Sequence, residues 1–425
     1  MSVNLCNPHP VPPTPIDDMS RQVYAHYMVG LTDGQTPEQW QKDISDAQSV
    51  GIDGFALNIG PQDPWTTTQL QQAYSAANAA SFKLFLSFDM QTPGDWTAQA
   101  VAGLVNDFKD EAAQVKTDGR PLVNTFEGSA WVDNWPAVRE QTGGIFLVPN
   151  WSSLGPDGVR ERLGLVDGAF SWNAWPRAGQ HDMSSDEDKL YKDVLGDKPY
   201  MMGVSPSFYV MANPADLAQW NKNWYSSSES LWYDRWLQVL DVLPDSIQII
   251  TWNDFSESSY IADVVPSQIV GGADAYVEGF SHSALRSVLP YFIKAYKAGT
   301  LDVPLDAETA IAWYRTTSAG LGSDGGTVWG QGGGESASAG ARDVVSVVAI
   351  TDGEEEVLIR IGDAEQGRFI ANGTGKRASY FEVPFDGKLG EVTLEMAGRS
   401  VVGGAITDMM PGTGYVNFNQ LAIGL

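Results

Sequence analysis

Short apolar runs recur along the first 256 positions, separated by longer stretches in which apolar residues come every three or four. The runs are RQVYAHYMVG (21–30), GIDGFALNIG (51–60), FKLFLSFDM (82–90), RPLVNTFEG (120–128), GIFLVPNW (144–151), DGAFSWNAW (167–175), PYMMGVSPSF (199–208) and SIQIITWNDF (246–255). Several are apolar almost throughout, as strands of a parallel sheet covered on both faces are. Helical marks fill the gaps. Thr36-Pro37 opens TPEQWQKDISDAQSVG with an N-cap threonine and a first-turn proline. WTAQAVAGLVNDFKDEAAQV, SSDEDKLYKDVLGD, ESLWYDRWLQVLDVL and HSALRSVLPYFIKAYKAG carry apolar residues at helical spacing. Strand and helix thus alternate eight times, which predicts a (β/α)8 TIM barrel over 21–300. A doubly wound open sheet is the alternative, but eight units are many for it and no glycine-rich first turn is present.

After residue 300 the period changes. AGLGSDGGTVWGQGGGESASAGA (319–341) is rich in Gly and Ser and predicts a mobile loop or linker. DVVSVVAITD, EEVLIRIGD, GRFIANGTG, SYFEVPFDG, GEVTLEMAGRS and YVNFNQLAIG then alternate with turn residues, the pattern of an antiparallel β-sandwich, with ETAIAWYRTT (308–317) as its first strand. The expected organisation is an N-terminal extension 1–20, a barrel 21–300 and a C-terminal β-sandwich 301–425.

Composition narrows the function. A net charge of -27 argues against nucleic acid or an anionic membrane as partner. One cysteine, Cys6, forbids an internal disulfide, and with only four histidines no metal site or cofactor is expected. The opening MSVNLCNPHPVPPTP shows neither a basic nor an apolar signal-peptide region.

In a barrel the chemistry gathers where strands end. The ends of the eight runs supply His26, Asn58, Asp89, Glu127, Asn150 and Trp151, then Trp172, Asn173 and Trp175, then Ser205, Ser207 and Tyr209, and finally Trp252, Asn253, Asp254, Glu257 and Tyr260. A single Asn or Asp there is ordinarily a turn or cap. A full set of amides, acids and indoles with few basic residues instead suits an uncharged, polyhydroxylated ligand. Lys222 and Trp224 belong to a loop over the cleft, and His282 opens the last helix as a sugar contact or a cap. Glycoside cleavage needs one protonated carboxyl and one carboxylate. Asp254 and Glu257, flanked by Trp252, Phe255 and Tyr260, are the pair expected to supply them, although a DxxE spacing alone also describes many solvated surface pairs.

These blocks, ending in IITWNDFSESSYI, resemble in order the fungal α-1,3-glucanases (mutanases) of glycoside hydrolase family 71. The resemblance implies a (β/α)8 barrel with a C-terminal β-sandwich, inverting endo-hydrolysis of α-1,3-glucan, and secretion. It also implies Asp254 and Glu257 as catalytic carboxylates, from a family motif WNDYGESHYI. Glu257 is expected as general acid and Asp254 as general base. His26, Asn58, Asp89, Glu127, Trp151, Trp172, Asn173, Trp175, Tyr209, Trp224, Trp252, Asn253, Tyr260 and His282 are expected to bind substrate. The chain departs from the pattern at Phe255, Ser256 and Ser259, at Ser207 where tryptophan is expected, and at Asn173 where aspartate is common. The expected partner is neutral polysaccharide, met by a monomer. A non-catalytic glucan-binding protein, a hydrolase of another α-glucan linkage, and an interaction protein acting through its β region are the alternatives.

Overall fold

The computed structural model describes residues 21–92, 94–211 and 222–425. The expected extension 1–20, with Cys6, lies outside them. Strands β1 (Gln22–Met28), β2 (Gly54–Ile59), β3 (Lys83–Asp89), β4 (Lys116–Thr117), β5 (Arg120–Phe126), β6 (Phe146–Pro149), β7 (Ala169–Ser171), β8 (Tyr200–Val204), β9 (Phe208–Val210), β10 (Trp224–Ser226) and β11 (Ser246–Ile249) make up the first part. Eight of them form a curled parallel sheet in the order β6-β5-β3-β2-β1-β11-β8-β7, with β4 added antiparallel to β5. A single parallel bridge between Asn150 and Phe170 joins its two end strands.

Alternating side chains explain why these strands read as apolar throughout. Tyr24, Ala56, Phe85 and Met201 enter one buried cluster. Their neighbours Val23, Ala25, Phe55, Leu57, Leu84, Leu86 and Met202 enter another, shared with the helices. Both faces of the sheet are therefore dry. The helix Pro37–Ser49 starts as its sequence predicts, with the Gln39 amide donating to the Thr36 hydroxyl. Its Trp40 stacks on Tyr27 at 4.6 Å. In the helix Leu231–Val242, Trp232 and Trp236 are fully buried, i to i+4. The last predicted helix divides into a 3-10 turn, Ser283–Val288, and an α-helix, Leu289–Ala298. Pro290 sits in the first turn of the latter, where the missing N–H is tolerated. Helices Trp135–Thr142 and Gly155–Arg160 were not signalled by the sequence pattern; both are short.

Strands β12 (Thr309–Tyr314), β13 (Val328–Trp329), β14 (Val344–Ile350), β15 (Glu354–Ile361), β16 (Ala364–Asn372), β17 (Ala378–Pro384), β18 (Gly390–Met396), β19 (Arg399–Ile406) and β20 (Leu421–Gly424) follow. All but β13 form two antiparallel sheets, β17-β14-β12-β20 and β16-β15-β18-β19. Ala312, Val347 and Ala349 from one sheet share a buried cluster with Ile359, Val392 and Leu394 from the other. Tyr380 of β17 stacks on Tyr233 at 5.4 Å, and the Trp313 indole donates to the Ser228 carbonyl at 3.3 Å, so this part is packed against the parallel sheet's helices.

The Gly/Ser-rich stretch 319–341, expected as a mobile loop or linker, contributes the short strand β13, which pairs in parallel with β10, itself antiparallel to β9. The Trp329 indole donates to the Ser227 hydroxyl at 3.0 Å, and Gly330 lies so close to Ala178 that a Cβ would meet its backbone at 2.4 Å. The glycines here permit close approach of two backbones, and composition alone reads that as flexibility.

Candidate active site

The loop leaving β11 is folded back on itself. The Thr251 amide donates to the Ser259 carbonyl at 2.9 Å, and the amides of Ile261 and Ala262 return to the carbonyls of Thr251 and Trp252. The Trp252 amide donates to the His26 carbonyl at 2.7 Å. Asn253 accepts from the Met28 amide at 2.8 Å and donates to Gln268 at 2.9 Å. The loop is thereby anchored to the end of β1. Within it the Asp254 amide donates to the Thr251 hydroxyl at 2.8 Å, and Asp254 Oδ1 accepts the Glu257 amide at 3.0 Å. The Tyr209 amide, in β9, donates to the Glu257 carbonyl at 3.0 Å. The backbone of both residues is thus held on a short, closed loop, and the Asp254 carboxylate is fixed by a backbone amide.

Their surroundings differ. Asp254 is buried, and burial, followed by the neighbouring charge of Glu257, pushes its carboxyl up to about 7. Glu257 is more open and forms an ion pair with Lys222, whose amino group donates to Oε1. That ammonium is held above its ordinary range, first by Glu257 and further by Asp254 and Asp89.

His26 is buried, its Nδ1 2.7 Å from Gln248 Oε1, and burial lowers it to about 4, so the ring is neutral. It meets the Trp172 ring edge-on at 4.7 Å, and Trp172 also meets Phe126 at 4.8 Å. Asp89, at the end of β3, caps its own turn by accepting from the amides of Gln91 and Thr92, and its charge acts on His26 and Lys222. Glu127 adopts a left-handed φ of 54° just past β5 and accepts from the Ser153 amide at 2.9 Å and hydroxyl at 2.5 Å. The Ser152 hydroxyl in turn accepts the Trp172 amide at 2.8 Å. Asn58, buried one residue before the end of β2, is in register with Met28, and Asn173 follows Trp172, partly exposed.

The structure therefore brings Asp254, Glu257, His26, Asp89, Glu127 and Trp172 to the same end of the sheet. It gives other expected residues different work. Trp151 and Trp252 are core side chains, 1% and 0% exposed. A ring packed on all sides has no face left for a sugar. Trp224 is stacked on Phe208 at 3.5 Å, and the Trp175 indole donates to the Ser207 carbonyl. Tyr209 is buried against Tyr276 and Phe418. Asn253 is the anchor described above. Tyr260 and His282 stack at 4.0 Å, and His282 is held at one nitrogen by the Tyr260 carbonyl and at the other by Asn419 and Gln420. His282 stands at the N-cap of the turn Ser283–Val288, as one of the two expectations had it, but its side chain makes no cap bond and its buried ring is a strut to the C-terminal strands. The serines at two departure positions are buried as well: Ser207 donates to the Ser258 carbonyl, and Ser259 lies 3.3 Å from Thr251.

Sequence reasoning passed over Gln248, Ser153 and Asp63. Gln248 had a signal, a lone amide in the apolar run SIQII. Asp63, raised by burial and by the charge of Asp89, had none.

The sequence profile of glycosyl hydrolase family 71 matches residues 19–424. The chain belongs to that family. It is similar to a glucan endo-1,3-alpha-glucosidase of Schizosaccharomyces pombe, 38% identical over 318 residues that cover 71% of this chain and 72% of the relative. It is also similar to a mutanase of Penicillium rubens, 34% identical, covering 71% and 67%. Among solved structures, a GH99 endo-alpha-mannosidase from Bacteroides thetaiotaomicron superposes with a TM-score of 0.52 at 12% identity, over 66% of this chain and 98% of the other. That likeness concerns the fold of the parallel sheet. This family 71 member is a glycoside hydrolase.

Proposed function

We propose that this hydrolase cleaves α-1,3-glucan, endo-acting and with inversion, using Asp254 and Glu257. The named activities of its relatives support the substrate. The observation that carries the site is the contrast between a buried carboxyl held up to about 7 and a carboxylate paired with Lys222, three residues away on one closed loop. Hydrolysis of a glycosidic bond asks for that division: a proton for the leaving oxygen and a base for water. The contrast favours Asp254 as the proton donor and Glu257 as the base, the reverse of the assignment made on the sequence. Asn58, Asp89, Glu127, Trp172 and Asn173, with His26 behind Trp172, line the substrate side of this reading. The single Asn150–Phe170 bridge supports a closed (β/α)8 barrel over 21–300, and the shared cluster of the two C-terminal sheets supports a β-sandwich over 301–425. Neutral wall polysaccharide outside the cell is the setting that fits.

The test is release of reducing ends from insoluble α-1,3-glucan, wild type beside Asp254→Asn. General acid–base groups contribute roughly 10²–10⁴-fold, so a loss of about 10³-fold is expected, with an inverted anomer as the first NMR-visible product. Equal release by both proteins removes Asp254 from the chemistry.

A further inference from the structure

The three-stranded sheet β13-β10-β9 runs from the Gly-rich stretch to the carboxylate loop. At one edge β9 holds Glu257 through the Tyr209 amide. At the other edge the residue beside Lys222, Asn223, is clasped by the Gly-rich stretch. Its carbonyl accepts the Val328 amide at 3.1 Å, its Oδ1 accepts the Thr327 hydroxyl at 2.8 Å, and its amide group donates to the Gly325 carbonyl at 3.4 Å. The Gly330 amide donates to the Tyr225 carbonyl at 2.7 Å, closing the clasp on the far side. One small sheet thus presents an ammonium and a carboxylate to each other, and one of its three strands comes from the C-terminal part of the chain.

We propose that Lys222 is a positioning residue for hydrolysis, seated by residues 325–330, whose ammonium holds the Glu257 carboxylate in place beside Asp254. This rests on the reading of Asp254 and Glu257 as the hydrolytic pair. The groups that face Lys222 are Glu257 and Asp254 from the loop after β11 and Asp89 from β3. Behind Asp89 stand His26, which is neutral, and Asp63, while Tyr276 borders both carboxylates of the pair. Carboxylates outnumber the cation at this spot, so removing the ammonium leaves Glu257 and Asp254 to repel each other unrelieved. Both then bind protons more tightly, and the pH window in which one is ionised and the other is not moves upward. A cation within 4–6 Å holds a carboxyl down by about 1–3 pH units. Lys222 is 44% exposed, so the lower end of that range applies.

The experiment is the pH profile of kcat/KM on a soluble α-1,3-glucan oligosaccharide for wild type, Lys222→Met, Lys222→Arg and Thr327→Val, with Asp254→Asn and Glu257→Gln as controls. Lys222→Met is expected to move both limbs up by about one pH unit and to lower the maximum. Lys222→Arg should restore the limbs, and Thr327→Val should show a smaller displacement in the same direction at an unchanged melting temperature. A purely structural role would lower the profile without moving it, and that result, or failure of arginine to restore the limbs, overturns the proposal. Wild-type turnover in either control would instead remove the hydrolytic pair itself, a different failure that the same data set identifies.

Discussion

Two ion pairs flank the strands that lead to the site, and they are built differently. Arg235, fully buried in the helix Leu231–Val242, donates to Asp188 at 2.9 and 3.3 Å, to the Gly203 carbonyl at 2.8 Å and to Gln238 at 2.6 Å. Asp188 also accepts the Tyr200 hydroxyl at 2.7 Å. Lys222 reaches Glu257 through one bond, at the water's edge, with two further carboxylates close by. The first pair has both terminal nitrogens of Arg235 and both oxygens of Asp188 matched to fixed neighbours, with only Arg235 Nε lacking a partner among the described residues, and it ties the helix to β8. The second leaves its charges partly unbalanced. Burial with near-complete partnering makes structure, whereas a single bond at a half-exposed position leaves groups whose protonation can change during a reaction.

The comparison can be broken hardest at the first pair. Arg235→Met leaves Asp188 buried without its cation, and losing one member of such a pair costs about 3–5 kcal/mol. The denaturation midpoint should fall accordingly, and a midpoint equal to the wild type's would refute the distinction. Next comes the pH response. Asp254 binds its proton more tightly folded than unfolded, so its contribution to stability is full below the ordinary carboxylate range and is lost as pH rises through about 7. Activity that uses this proton falls over the same upper limb. Asp254→Asn should flatten the stability slope between about pH 4 and 7, measured by denaturant titration at several pH values. At the second pair, Lys222→Met should leave the midpoint within about 0.5 kcal/mol of wild type, as for ordinary half-exposed side chains. Weakest of all, Arg368→Ala removes a surface network with Glu356 and Glu365 and should leave melting unchanged.

Much of this was legible in the chain. The parallel strands announced themselves because both faces are dry, and Thr36-Pro37 marked a helix start that the structure reproduces. Asp254 and Glu257 were visible because a buried strand ends in them. What sequence could not separate was an aromatic at the end of a strand from one inside the core: Trp172 is partly exposed while Trp151 and Trp252 are sealed, and all three follow apolar runs. Pattern gives a residue's place along a strand, but packing from distant segments decides which ring keeps a free face. The same limit hid the role of 319–341, whose glycines are used to bring β13 against β10, and that of His282, whose partners lie 137 and 138 residues downstream.

Those distances bear on how the protein is made. A ribosome adding about 5–20 residues per second releases His282 roughly 7–28 seconds before Gln420, its carbonyl partner, exists. β10 likewise leaves the ribosome ahead of β13. The nascent parallel sheet therefore waits, with His282 unclasped and Lys222 unseated, until β13 and the segment around Gln420 have been made. A chain cut short by a premature stop would hold both carboxylates and lack the strands that arrange what faces them.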